Sequence, residues 1–389
     1  MKKNITIFMF IDAMGWEVLK GREFLEDLLP YRQPAGMQFG YSCTAIPTIL
    51  TGERPSEHKH LSFYYYNPED SPFKIFKNLG LHYLPSIIMD RWRVRHQFSK
   101  IVAKMYNFTG YFEMYAMPFN RLHYFDYIEK TDLFVPGGLS PTPNLADELV
   151  KHNVPYSISN WRLSEEENID AMIQQVKKGD IRFAFLYTAA MDGLLHRVTK
   201  DGTEIQVKLN WYAEKVKKLV VAIKEQYEDY SLFLISDHGM TTLTGTQDVK
   251  SMVESLDYKF GKDYVAVYDS TMARFWYFND SARSGILAAL KEVPQSSILE
   301  EEYLKKHGVW FEDNMYGETI LLMEPGVQIE PCDMGRKALP GMHGFAPEHP
   351  DSMASFLSNE PLDDIEVNWV GDYFKVMKSK IEKIAEEEI

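Results

Sequence analysis

Residues 230–240 read YSLFLISDHGM. An apolar run, aromatic and β-branched, stops abruptly at Ser236, Asp237, His238 and Gly239. The run is too short for a typical helix and is continuous rather than alternating. That is the pattern of a strand buried on both faces of a parallel sheet. Two other stretches repeat it. Ile5 to Ile11 (ITIFMFI) ends in Asp12, and Ile181 to Tyr187 (IRFAFLY) is followed by TAAMD, ending at Asp192, then by His196. Helical segments separate them. Leu163 to Lys178 opens with Ser164 and carries Glu167 three residues later, a capping-box signature. Ile205 to Tyr227 has apolar residues at helical spacing, and the chain from Asn368 reads as an amphipathic helix with an acidic tail. Strand and helix alternating in this way predict an α/β fold, a doubly wound and mainly parallel sheet flanked by helices.

The chain has 389 residues, 45% hydrophobic and 25% charged, with a net charge of −14. Ordinary globular composition excludes disorder and disulfide scaffolds, and a chain this long buries a large core unaided. A negative field repels phosphate backbones, so nucleic acid is not an expected partner. A small phosphorylated substrate stays open if the site brings its own cations. Cys43 and Cys332 make no disulfide framework, although they are able to pair with each other. The start pairs two lysines with a seven-residue apolar run, but it ends in Asp12 without a small-residue cleavage site. It is therefore not read as a signal peptide. No apolar stretch is long enough to span a membrane. The expectation is a reduced, cytoplasmic protein; its oligomeric state is not legible.

Two stretches interrupt the α/β pattern. Residues 71–140 hold 15 of the aromatic residues and carry nine Lys or Arg against five Asp or Glu. They are positive in an acidic protein and read as an insertion or cap. Within them Arg91 to Tyr106 is basic and amphipathic, first read as a packed helix with a solvated basic face. A substrate-binding or membrane-surface role is the alternative. Residues 246–338 mix helices with short strands, Tyr264 to Val267, Ala273 to Phe278 and Thr319 to Leu322, and read as a small α+β excursion. The catalytic domain is then 1–70 with 141–389, holding the 246–338 subdomain and interrupted by the 71–140 cap.

Ligands bind outside the carboxyl ends of strands in open parallel sheets. Three strand ends deliver Asp12, Asp192 with His196, and Asp237 with His238 to one edge. Asp192 and His196 share a helix face. Asp237 and His238 are neighbours, so their side chains are expected to diverge, toward two cations rather than one. His343, in PGMHGF, adds an imidazole. Mixed carboxylate and imidazole donors point to two divalent metal ions, zinc first and manganese or iron next. Two adjacent cations suit phosphoryl transfer. The segment YSCTAIPTILTGERPSEH, from Tyr41 to His58, reads as a turn, a short helix and a stop at Gly52. Ser42 or Thr44 then heads a helix whose free N–H groups attract phosphate, as nucleophile or simply as N-cap.

The order of Asp12, the hydroxyl turn with its T-G, D-G-x-x-H, D-H-G-M and G-x-H-G resembles the alkaline phosphatase superfamily. More narrowly, it is similar to the type I phosphodiesterase/nucleotide pyrophosphatase family. The stretch GMHGFAPEHPDSMASFLS resembles that family's closing motif, and the likeness covers residues 1–66 and about 141–389. The resemblance implies an alkaline phosphatase-like core and two metal sites. Asp12, Asp237 and His238 would form the site that touches the nucleophile; Asp192, His196 and His343 would form the other. The family's nucleophile stands ten residues before the glycine of the T-G pair, which is Ser42. Thr44 stays open because Pro47 clashes in a helix starting at Cys43 but fits the first turn of one starting later.

The resemblance implies a phospho-enzyme hydrolase, a phosphodiesterase or nucleotide pyrophosphatase acting on a nucleotide, a sugar phosphate or a lipid head group. Peripheral membrane contact is compatible with it. The family's phosphate-binding asparagine falls near Phe63, with Asn67 close enough to substitute, and this departure weakens the diester preference. A phosphomonoesterase or phosphonate hydrolase is the first alternative. A sulfatase does not fit, because Cys43 is followed by Thr-Ala-Ile-Pro rather than by x-P-x-R. The second alternative is a non-catalytic metal- or phosphate-binding protein.

Overall fold

A computed structural model describes residues 4–80, 89, 91–362 and 365–387. Residues 81–88 and 90 of the aromatic stretch and the last two of the acidic tail lie outside these. The main sheet runs Tyr31–Ala35, Ala354–Ser358, Tyr230–Ile235, Ile5–Ile11, Phe183–Thr188, Tyr156–Ile158 in spatial order. The last four are mutually parallel, while Ala354–Ser358 runs antiparallel to both of its neighbours. All seven residues of Ile5–Ile11 are buried, because this strand is central and covered on both faces.

The pleat sorts that strand into two cores. Ile5, Ile7, Met9 and Ile11 face the helices Glu165–Lys178 and Thr203–Gln226. Phe8 and Phe10 face the other way, toward the helix Asp372–Glu386. Across the sheet Phe8 stacks on Phe233 at 4.4 Å and Phe10 on Tyr187 at 5.3 Å. Such pairs add about 0.5–1.5 kcal/mol beyond simple burial. The Ser164–Glu167 capping box forms as expected. The last helix begins four residues later than its periodicity predicts. Asp372 accepts the N–H groups of Asn368 and Trp369, and Asn368 O pairs with Gly36 N, so this stretch is a turn.

A second, antiparallel sheet joins Tyr264–Tyr268, Met272–Tyr277, Thr319–Met323 and Ser296–Ile298. Its Val265, Val267 and Trp276 pack against Phe73, Phe76, Met114 and Phe119 of the aromatic stretch. That stretch is also tied in by Phe125–Tyr127, which pairs antiparallel with Tyr64–Tyr66. Its basic segment is helical over Trp92–Met105. Arg95 turns inward, is 4% exposed, and donates to the carbonyls of Tyr115 and Met117. Cys43 and Cys332 are buried and unpaired. No helix among the described residues is long and apolar enough to cross a membrane.

Candidate active site

Register builds the site. Ile11 pairs with Thr188, and Phe10 with Ile235, so the three central strands end level. One step further, Asp12 and Asp237 stand beside each other. His238 Nε2 lies 3.2 Å from Asp237 Oδ2 and 3.7 Å from Asp12 Oδ1. The expected divergence of Asp237 and His238 is therefore corrected. Strand alternation ends at Ile235, and the loop turns both side chains into one cluster. Asp12, Asp237 and His238 are 6%, 0% and 0% exposed.

The second cluster comes from a helix and a loop. Asp192 and His196 share the inner face of Ala190–Val198, with Nε2 3.4 Å from Asp192 Oδ1. His343 Nε2 reaches the same oxygen at 3.5 Å, and its ring stacks on His238 at 3.8 Å. The donor atoms within each triad lie within 4.8 Å of one another. Two imidazoles are held from behind. His196 Nδ1 donates to Gly341 O at 2.7 Å, and His238 Nδ1 to Gly239 O at 2.9 Å, which leaves both Nε2 atoms aimed inward.

The electrostatics show what is wanted there. Burial raises the Asp12 carboxyl well above its usual range, and the charges of Asp237 and Asp192 raise it further. Asp237 is also raised, mainly by burial. Burial would raise Asp192 too, but the close approach of His196 and the charges of His196, His343 and His238 outweigh it and hold it low. Asp12 Oδ1, Asp192 Oδ1, Asp237 Oδ2 and His343 Nδ1 are buried without hydrogen-bond partners among the described residues. Buried, unpartnered carboxylates beside imidazoles are costly unless a cation joins them. The donors thus fit two divalent ions, one per triad.

Ser42 heads the helix Ser42–Thr51, and Gly52 ends it in the left-handed region at φ 75°. Its Oγ lies 3.0 Å from His238 Nε2, at the first triad. Thr44 is placed elsewhere. It is fully buried, accepts from Tyr41 N at 3.2 Å and donates to Leu61 O, so it caps the helix. The argument from Pro47 also fails. The helix begins at Ser42 with Pro47 inside it, and the clash is absorbed without a later start. Asn67 forms an exposed turn with Asp70 and does not reach the site, because its side chain is spent on that turn.

A cavity of about 1100 Å³ opens over Asp12, Ser42, Asp192, His196 and His343. Phe63, which stands where an asparagine was sought, lines its wall with Tyr111, Tyr115 and Trp161. The helix Trp92–Met105 contributes His96, Ser99 and Lys100. Sequence reasoning missed several supports. Tyr41 Oη sits 2.8 Å from Thr271 Oγ1 and accepts Thr271 N at 3.0 Å, while Thr271 Oγ1 donates to Gly344 O at 2.6 Å. This chain ties the Ser42 helix to the His343 loop. Arg274, fully buried, binds Asp269, Ser62 and Tyr64 O. No local pattern signals either network, since the partners lie up to 230 residues apart.

The chain is similar to known proteins in fold and in sequence family. Among curated proteins none matches the sequence. Solved structures of murine and human ectonucleotide pyrophosphatase/phosphodiesterase 5 match its fold with a TM-score of 0.67, at 13% and 12% identity. Each match covers 98% of this chain and 95% of the other. An inactive form of the murine protein in complex with AMP matches equally, at 13% identity. The sequence model described as Type I phosphodiesterase / nucleotide pyrophosphatase covers residues 40–346, from the turn before Ser42 to the loop beyond His343. This chain belongs to that family of phosphoester hydrolases.

Proposed function

We propose that the chain hydrolyses phosphodiesters in two steps through Ser42. The observation that carries this is the Ser42 hydroxyl, 3.0 Å from His238 Nε2 at the head of a helix, beside two triads with orphaned carboxylate oxygens. Asp12, Asp237 and His238 would hold one divalent cation, and Asp192, His196 and His343 the other, zinc before manganese. Bound there, the pair supplies Lewis-acid stabilisation of charge on the attacking and leaving oxygens. Ser42 Oγ gives up its proton and attacks phosphorus in line; the bond to the leaving oxygen breaks, that oxygen departs as the alcohol with one proton gained, and a phosphoserine diester is left. Water then attacks phosphorus, Ser42 departs, and a phosphomonoester is released. The N–H groups of Ser42 and Cys43, first in the helix, would be free to donate to the phosphate.

The organic part of the substrate fills the aromatic cavity, walled by the 71–140 cap and the 246–338 subdomain. AMP on the murine protein supports a nucleotide-sized group there. The test measures zinc and manganese content beside turnover of bis-p-nitrophenyl phosphate, p-nitrophenyl thymidine monophosphate and p-nitrophenyl phosphate. Metal with diester cleavage supports the reading. Monoester preference moves the chain to the phosphatase branch, and no turnover after metal addition sinks the hydrolase mechanism.

A further inference from the structure

Among the described residues five acidic side chains line the cavity, and four have assigned partners or roles. Asp12 and Asp192 belong to the triads. Glu113 binds His96 at 2.7 Å and Ser99 at 2.6 Å, and Asp269 binds Arg274 at 2.8 Å. Glu129 is different. It is 6% exposed and lines the cavity, yet no hydrogen bond or ion pair among the described residues reaches its carboxylate. Burial alone pushes that carboxyl up to about 8. Its charge is felt by Tyr111, Tyr115, Tyr127, Tyr187 and the Cys43 thiol, none of them a cation.

The backbone around it is built for close approach. Gly110 lies against Glu129 O, where a Cβ would come within 2.3 Å. Tyr111, the next residue, lines the same cavity as Glu129. Phe63 stacks on Tyr115 at 5.4 Å and meets Tyr111 at 5.7 Å, and Tyr111 meets Trp161 edge-on at 6.1 Å. Aromatic faces are negative, and so is an ionised carboxylate, so together they attract an organic cation held out of water. Cys43 follows Ser42, so this wall adjoins the nucleophile.

Building on the phosphodiesterase reading, we infer that Glu129 and the rings of Phe63, Tyr111, Tyr115 and Trp161 form a subsite for a quaternary or primary ammonium group borne on the phosphate ester. The triads take the phosphate and Glu129 takes the cation, so a zwitterionic phosphodiester is matched at both ends.

The experiment compares two esters of one shape, p-nitrophenyl phosphocholine and p-nitrophenyl 3,3-dimethylbutyl phosphate, which differ only by the ammonium charge. The native holoenzyme is expected to favour the phosphocholine ester by about tenfold or more in kcat/KM. Glu129→Gln is expected to bring that ratio close to one. A native ratio near one, or a ratio that Glu129→Gln leaves intact, overturns the inference. So does preference for p-nitrophenyl thymidine monophosphate over both with no dependence on Glu129, which would assign the rings to a base. If no ester turns over, the diesterase reading fails by itself. The subsite is then decided by calorimetry with choline: binding that Glu129→Gln abolishes supports it, and no binding to the native protein rejects it.

Discussion

The two carboxylate–imidazole triads adjoin each other yet are built from different parts of the fold. Asp12, Asp237 and His238 stand at the ends of central strands and are almost wholly buried. Asp192, His196 and His343 come from a helix and a loop, with side chains 22%, 17% and 10% exposed. The first triad has two carboxylates and one imidazole, the second one carboxylate and two imidazoles. Burial, helped by neighbouring acidic charge, raises the carboxyls of Asp12 and Asp237, whereas imidazoles hold Asp192 low. Without a cation the first triad is the more strained, and with one it gains more. The lesson is that side chains fixed at the ends of central strands are buried more completely, and so carry a larger desolvation cost, than those on a helix and a loop.

The sharpest way to break this comparison is to remove the group beside the first triad. Ser42→Ala is expected to lower kcat by about 10³-fold or more while metal content stays near native. Activity that survives, measured beside elemental analysis, would reassign the nucleophile. Next, one donor is taken from each triad. Asp12→Asn and His343→Ala should each weaken one cation by at least about 100-fold, since even supporting groups behind ligands are worth 10–100-fold. Titration of the native protein with a chelator should empty the helix-and-loop triad first. Loss from both triads in a single step would mean that the contrast in their construction has no thermodynamic consequence.

A third test reaches the support beneath Ser42. His58 takes the His60 N–H on Nδ1 and donates from Nε2 to Thr48 Oγ1, while Thr48 donates to Thr44 O. This chain ties His58 to the Ser42 helix, and burial, then the nearby His60, holds the His58 imidazole well below its usual range. His60 donates from Nδ1 to His58 O, and burial pushes it down to about 4. A free imidazole titrates near 6.5. Below that pH the unfolded chain binds a proton that folded His60 refuses, so stability is full above about 6.5 and falls toward pH 4. The expected loss is on the order of 2 kcal/mol. Denaturant unfolding between pH 7.5 and 4.5 checks it; His60→Asn should flatten the slope relative to the native chain. Equal slopes would remove His60 as the cause.

The smallest effect tests the link between the triads. Tyr41→Phe removes the hydroxyl that joins the Ser42 helix to Thr271 and, through it, to the His343 loop. A lost hydrogen bond of this kind costs about 1 kcal/mol. The expectation is roughly a fivefold drop in kcat with KM nearly unchanged. A change in KM alone would show that Tyr41 serves the substrate rather than the alignment.

Much of the site was legible because its chemistry sits at strand ends. A strand buried on both faces must be continuously apolar, so Asp12, Asp192 and Asp237 stand out where each run stops. Helical spacing likewise paired Asp192 with His196. Three expectations failed where local pattern has no authority. The divergence of Asp237 and His238 assumed strand geometry beyond Ile235, where the chain is already a loop. Thr44 was a plausible nucleophile until Leu61 O and Tyr41 N occupied its hydroxyl. Asn67 lies close in sequence to the lost asparagine position, but Asp70 holds it in a surface turn.

What the sequence determined by itself is the order of strands and helices and the residue types at the sheet edge, because burial and backbone periodicity act over a few neighbours. What only the tertiary structure decided is partnership. Register set Asp12 beside Asp237, a loop swung His343 against His238, and packing left Glu129 buried with no partner among the described residues. Those outcomes depend on which distant surfaces meet, and desolvation acts on a side chain only once they have met.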